Sequence, residues 1–327
     1  MTSGGRREAL TASVVVCAYT EERWDDLRAS IASLRAQTEP AFEILVVVDH
    51  NPGLLDRVRR TFPGVTAVAN RERRGLSGAR NTGVAEATGD VVAFLDDDAA
   101  AAPDWLALLL APYADPRVIG VGGAIEPVWS TRRPRSFPDE FMWVVGCSYR
   151  GLPAARSPVR NLIGANMSYR RQALVELGGF HTSLGRVGAT PLGCEETEMC
   201  VRAQRRWPEG IFLYEPQAVV HHRVPPSRTR WAYFRARCYG EGMSKAEVVR
   251  RAGSAAGLAS ERAYTLRVLP RGVAREVAGV VTRRDAAGVL RATGIAVGLL
   301  CTTAGYVAGG GLRRNPIGED PIADRRR

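Results

Sequence analysis

Val91-Val92-Ala93-Phe94-Leu95-Asp96-Asp97-Asp98 is the stretch on which the fold of this chain turns. Five apolar residues in a row suit a strand buried on both faces, and three carboxylates follow at its end. Adjacent carboxylates repel one another and are tolerated together where a cation or a polar ligand neutralises them. Hard oxygen ligands of this kind suit Mg²⁺ or Mn²⁺, ions that also take phosphate oxygens. A solvated acidic turn would read the same way, so the neighbouring sequence has to decide.

On either side the chain repeats one plan. Ser13-Val14-Val15-Val16-Cys17 reads as a strand, residues 24–37 carry Leu27, Ile31 and Leu34 at helical spacing, and residues 43–48 form a second apolar strand ending in Asp49. Leu54, Leu55 and Val58 with Phe62 predict a helix, Thr66-Ala67-Val68 a third strand, and residues 76–87 a helix entered through Gly75. Pro103-Asp104 then opens another helix, with proline in its first turn. Strands alternating with helices predict an α/β fold, a mostly parallel sheet flanked by helices on both faces. Ligands of such sheets collect at the carboxyl ends of strands, where both Asp49 and the Asp96 to Asp98 run fall. Residues 126–160 are irregular and rich in proline, arginine and aromatics, an excursion able to cover a site. Residues 195–207 read as a helix and 211–214 as a strand.

With 327 residues and 45% hydrophobic content, the chain can build one large domain or two modest ones. Its net charge of +11 is uneven: residues 223–327 carry 20 basic and 8 acidic side chains, so the basic surface belongs to the C-terminal third. Such a surface attracts nucleic acid, anionic lipid or phosphorylated substrates. Six cysteines (Cys17, Cys147, Cys194, Cys200, Cys238, Cys301) form no Cys-x-x-Cys pair and no zinc-like spacing with histidine, which predicts a reduced, intracellular chain. The N-terminus enters the first strand without an apolar signal core, so secretion is not expected. Residues 292–312 are a 21-residue stretch without a charge, long enough to cross a bilayer but rich in Gly, Ala and Thr. Arginines flank it on both sides (Arg283, Arg284 and Arg291; Arg313 and Arg314), so charge assigns no orientation. Membrane insertion, peripheral association and an ordinary packed helix all stay open.

Taken together, Ser13 to Tyr19, Asp49, the Gly75-x-x-x-x-Arg80-Asn81-x-Gly83 segment, Asp96-Asp97-Asp98 and Glu195-Glu196 ahead of a helix resemble glycosyltransferase family 2 over about residues 12–225. The resemblance implies the GT-A fold and transfer of a sugar, usually with inversion and a divalent metal, from a nucleotide-sugar donor to a hydroxyl acceptor. A narrower likeness, to transferases acting on polyprenyl-phosphate-linked sugars, rests on Tyr214-Glu215-Pro216, His221-His222-Arg223-Val224-Pro225 and Gly240-Glu241-Gly242-Met243-Ser244-Lys245-Ala246. Carried over, Tyr19 and Thr20 contact the nucleoside, Asp49 accepts from a base N–H, and Arg80 faces the donor base or diphosphate. Asp98 is the metal ligand, Asp96 the ribose or metal-shell partner, and Asp97 a weaker contact to nucleotide or metal. Glu196 stands where the family usually has an aspartate as general base, with Glu195 before it. Position at a helix start predicts an ionised carboxylate. His222 fits the family spacing better than His221 for completing the metal shell.

Two other classes compete. A nucleotidyltransferase acting on a sugar phosphate would want a glycine-rich basic loop after the first strand, whereas here that strand runs into Tyr19-Thr20-Glu21-Glu22. A non-enzymatic nucleic-acid-binding protein would explain the basic tail, but no binding motif accompanies it and no nucleic acid is expected. The expected organisation is a flexible N-terminus (residues 1–11), a transferase domain (12–225), a basic helical extension with the apolar segment (226–315) and a flexible tail (316–327). The expected partners are a nucleotide sugar, a hydroxyl acceptor that is polyprenyl-phosphate-linked or a cell-envelope glycan, and an anionic membrane surface. The expected location is the cytoplasm, at the inner face of the membrane if the acceptor is lipid-linked.

Overall fold

The structure, a computed structural model, describes residues 10–186, 192–252, 259–282 and 284–310. The expected flexible ends, apart from residues 10 and 11, and the last two residues of the apolar segment lie outside them.

β1 (Ala12–Ala18), β2 (Glu43–Val48), β3 (Thr66–Ala69) and β4 (Val91–Asp96) lie parallel in the order β3-β2-β1-β4. They are joined through α1 (Trp24–Arg35), α2 (Pro52–Thr61) and α3 (Leu76–Glu86). Side chains alternate across a strand, so Val14 and Val16 enter one core cluster while Val15 enters another with Leu45 and Val47. Helices cover both faces of this half, which is why its strands read as unbroken apolar runs.

Beyond β4 the sheet becomes mixed. β5 (Ala99–Ala101) and α4 (Trp105–Leu110) follow directly, with Pro103 ahead of the helix rather than inside its first turn. β6 (Val118–Trp129), β7 (Ser157–Pro158), β8 (Asn166–Arg170) and β9 (Ile211–Val224) complete the sheet in the order β4-β8-β6-β9-β5, with β7 on β9. β8 is antiparallel to both its neighbours, and β5 is antiparallel to β9. The expected parallel order therefore holds for the first four strands. β9 absorbs the Glu215-Pro216-Gln217 interruption as a bulge: Gly123 pairs Glu215, then Ala124 pairs Val219.

α5 (Arg171–Glu176) and α6 (Glu195–Arg206) follow β8, and α7 (Trp231–Ala252) leaves β9. Next come α8 (Ala259–Ala263), a π-helical turn (Tyr264–Val268), α9 (Leu269–Thr282) and α10 (Ala287–Ala308). The excursion read as irregular contains a short 3-10 helix (Asp139–Val145) whose Phe141, Met142, Val144 and Val145 are buried. It sits between sheet and C-terminal helices: Phe141 packs on Phe234 of α7 at 5.6 Å between ring centroids. Phe234, Cys238, Leu269 and Ile295 belong to the same core cluster as Val14 and Val16. The C-terminal helices thus share the sheet's hydrophobic core.

Candidate active site

Register assembles the acids. β1 pairs in parallel with β2 and β4 so that Ala18 lies beside Val48 and Cys17 beside Asp96. Tyr19, Asp49 and Asp96 to Asp98 therefore leave the sheet along one edge, at the carboxyl ends of adjacent strands. Asp96 remains 31% exposed there, whereas Asp97 and Asp98 turn inward and are buried.

The far strand supplies a nitrogen donor. β5 pairs antiparallel with β9 so that Ala99 faces His222, and the Arg223 amide donates to the Asp98 carbonyl at 2.8 Å. His222 is buried with Nε2 3.2 Å from Asp98 Oδ1, while His221 points outward, 3.7 Å from Glu126. Asp96, Asp98 and His222 each offer a ligand atom within 4.8 Å of the others. Two carboxylates and an imidazole are a donor set for Mg²⁺ or Mn²⁺, and the residues fit such an ion on a further count. Among the described residues Asp97 Oδ2 is buried without a hydrogen bond and Asp98 Oδ1 faces the His222 ring at 3.2 Å, a costly state unless another charge meets them.

Arginines complete the surroundings. Arg23 lies 2.7 Å from Asp97 and 3.1 Å from Asp98, and Arg228 lies 3.5 Å from Asp98 and 3.4 Å from His222. Burial alone would raise the Asp98 pKa, but His222, Arg23 and Arg228 together hold it well below the ordinary carboxylate range. For Asp97 burial prevails, helped by the Asp98 charge, and its pKa is raised to about 7 despite Arg23.

The Arg80-Asn81 motif on α3 ties this edge to the second acid pair. Asn81 brackets Phe180, accepting from its amide at 2.7 Å and donating to its carbonyl at 2.8 Å. Ser77 donates to the Leu184 carbonyl, so the segment leading towards α6 is held against α3. Arg80 is buried, with Nη1 2.6 Å from Glu195 and Nη2 3.0 Å from the Gly164 carbonyl and 3.8 Å from Asp96. Its guanidinium faces two carboxylates rather than an open donor cleft, and it bridges them. Breaking a buried pair strands a charge, so Arg80→Met is expected to destabilise the fold by about 3–5 kcal/mol. A urea titration beside the wild type measures this, and unchanged stability would show that the bridge contributes little.

Glu196 is the second residue of α6, after Glu195, and is partly buried. Burial first, then the neighbouring Glu195 charge, raise its pKa to about 8, with Glu241 adding to the shift. Desolvation and like charges thus oppose the ionised state that its place at the helix start favours.

At the other end of the edge, Tyr19, Asp49, His50, Asn51 and Arg74 line a cleft of about 170 Å³. Asp49 accepts from the Gly75 amide at 3.0 Å and from Asn70 at 2.6 Å, and His50 lies 2.8 Å away. Gly75 takes φ 127°, which a side chain would resist. Thr20 caps the turn after β1 by accepting from the Glu22 amide. Sequence reading missed Arg23, Arg228, His50 and Arg74. Arg23 lies in a 3-10 turn and Arg228 in a short one after β9, where no period marks a side chain as inward. The one available signal was their closeness in sequence to Tyr19 and His222.

The family model described as "Glycosyl transferase family 2" matches residues 13–178. The glucosyl-dolichyl phosphate glucuronosyltransferase of Haloferax volcanii is 38% identical over 240 residues, covering 72% of this chain and 76% of that protein. The solved structure of mannosyltransferase PcManGT from Pyrobaculum calidifontis, in complex with GDP-Man and Mn²⁺, superposes with a TM-score of 0.57 at 22% identity, covering 93% of this chain and 86% of that one. GalNAc-T7 with UDP, GalNAc and Mn²⁺ superposes with a TM-score of 0.53 at 21% identity, covering 74% of this chain and 51% of that one. At these identities the two structures speak to the GT-A fold.

Proposed function

The chain belongs to glycosyl transferase family 2 and is a glycosyltransferase; from that premise we propose an inverting enzyme that moves a sugar from a nucleoside-diphosphate sugar to a hydroxyl of a polyprenyl-phosphate-linked acceptor. The observation that carries the residue assignments is the buried Arg80, which joins Asp96 on the donor edge to Glu195 beside Glu196. Two acid pairs held by one cation suit a donor at one and an acceptor at the other.

In this reading Tyr19 and Asp49 hold the base in their shared cleft, with Thr20 shaping the turn beside it. Asp96, Asp98 and His222 hold the divalent ion, which when bound offsets charge on the departing diphosphate. Arg23 and Arg228 keep Asp98 ionised for that task. Glu196 accepts the proton of the acceptor hydroxyl while that oxygen attacks the anomeric carbon from the face opposite the diphosphate. The bond from sugar to diphosphate breaks with its electron pair, and the configuration inverts. We take residues 12–225 as the transferase body, on whose core α7, α9 and α10 pack. The lipid-linked acceptor is supported by the Haloferax relative, whose name states a glucosyl-dolichyl phosphate substrate. A water-borne, charged donor and a lipid-borne acceptor meet at a membrane surface, and we assign the work to its cytoplasmic side.

A base must be ionised to act, and the Glu196 pKa is raised to about 8. kcat/KM for transfer is therefore expected to rise with pH and level off above about 8, because protonated Glu196 cannot take the proton. A profile flat through that region would remove Glu196 from the role.

The deciding experiment offers a panel of UDP- and GDP-sugars with a short polyprenyl-phosphate glycoside and Mn²⁺, and follows sugar entering the detergent-extracted lipid. Transfer to a soluble glycan alone would overturn the acceptor. Release of pyrophosphate from a nucleoside triphosphate and a sugar phosphate would favour the nucleotidyltransferase reading.

A further inference from the structure

α10 meets the length and hydropathy of a membrane span, yet only 28% of its most apolar window is buried. A core helix of a water-soluble protein would be mostly covered. Its inner face is fastened to the body at backbone distance. A Cβ at Gly298 would collide with the Phe141 ring and one at Gly305 with the Tyr239 backbone, while Gly242 of α7 leaves room for the backbone of Thr302. Ions lock the same face: Glu276 of α9, itself buried, lies 2.6 Å from Arg291 and 3.1 Å from Arg275. Upright insertion would tear α10 from this seam and strand Glu276.

The outer faces of α9 and α10 are of a different kind. Val277 (53% exposed), Val281 (79%), Val289 (55%), Leu290 (54%), Leu300 (69%) and Val307 (48%) point to solvent. No charged residue occurs on α10 after Arg291. A helix facing water carries charge on its outer side; α10 beyond Arg291 carries none, and the exposed charge of α9 is Arg271. The charges nearby are of one sign. Each described acid of α8 to α10 is consumed: Glu261 by Arg160 and Lys245, Glu276 by Arg275 and Arg291, and Asp285 by Arg291 and Arg135. Arg262, Arg267, Arg271 and Arg284 are exposed and have no ion pair among the described residues.

We propose that the outer faces of α9 and α10 form an interfacial membrane-docking surface, lying in the plane of an anionic bilayer without crossing it. The valine and leucine side chains enter the boundary between headgroups and acyl chains, and these four arginines meet lipid phosphates. α10 then anchors the body while its glycine seam stays closed. The surface stands apart from the identity of the acceptor, and it is tested without donor or acceptor.

The experiment is flotation of the full chain with vesicles of phosphatidylcholine alone or mixed with phosphatidylglycerol. Binding is expected to the mixed vesicles at low salt and to fall at high salt. Arg267→Gln and Arg271→Gln should each weaken it about fivefold. Val281→Glu with Leu300→Glu should abolish it while donor hydrolysis persists, since both positions are exposed and distant in role from the chemistry. Orientation is read from labels at Val289→Cys, Leu300→Cys and Val307→Cys, after Cys17→Ser and Cys301→Ser remove the two cysteines that are not buried. Brominated lipids should report one shallow depth at all three. Failure of the full chain to float, unaltered binding of the glutamate variant, or depths graded across the bilayer would each overturn the proposal. So would lipid-free self-association lost in the glutamate variant, which would assign the surface to a second copy of the chain.

Discussion

Asp98→Asn, or chelation of the divalent ion from the wild type, is expected to lower sugar transfer by about 10³-fold or more, the equivalent of several kcal/mol of lost stabilisation of the leaving diphosphate. Asparagine keeps the shape of the side chain but removes its charge. That charge is held in place by His222, Arg23 and Arg228. Substitution also leaves the two arginines without the Asp98 counter-charge, so a thermal melt belongs beside the assay. Chelation separates the effects, because it removes the ion and leaves Asp98 in place. Loss of transfer on chelation, restored by added Mn²⁺, with a folded but inactive Asp98→Asn, is the expected pattern. Full activity of the variant in chelator would remove Asp98 from the metal site, and full wild-type activity in chelator would remove the ion.

Glu196→Gln is the second large effect. Glutamine preserves size and hydrogen bonding but cannot accept the proton, and turnover should fall by about 10²–10⁴. Donor affinity should stay near normal, since the role proposed for Glu196 is towards the acceptor. Glu195→Gln behaves differently if the assignment is right. Glu195 is buried with one oxygen on Arg80 and the other without a hydrogen bond among the described residues, so its loss should appear in stability as much as in rate. Measuring kcat, donor Kd and unfolding for both variants sorts the roles. A folded, inactive Glu195→Gln beside an active Glu196→Gln would exchange them, and lost donor binding in Glu196→Gln would place that residue on the donor.

Much of the site was legible because strand ends are local. Val91 to Leu95 followed by three acids needs no distant contact to be read, and neither does an apolar run ending in Asp49. The helix at residues 195–206 and its leading acids are equally local. The second half of the sheet was less legible. β8 sits between β4 and β6 with antiparallel neighbours on both sides, and no local period states which strand a segment will meet. β9 was read in pieces because Glu215-Pro216-Gln217 looks like a break, and pairing with β6 turns it into a bulge.

The sequence by itself determined the parallel first half of the sheet, the acids at its carboxyl edge and the uncharged run near the C-terminus, since each is a pattern within one segment. Tertiary structure decided what those groups meet. Arg80 and Glu195 are 115 residues apart in the chain and 2.6 Å apart in space. Burial beside Glu195, not its helix position, moved the Glu196 pKa to about 8. Adjacent residues on a strand face opposite ways, so the register of β9 against β5 turned His222 inward and His221 out. The apolar helix needed its neighbours most. Length and hydropathy allow a span, a core helix or a surface helix, and only the glycine seam to α7 and Phe141 shows which face is closed. Electrostatic and packing energies depend on distance through space, and the chain specifies those distances only once it has folded.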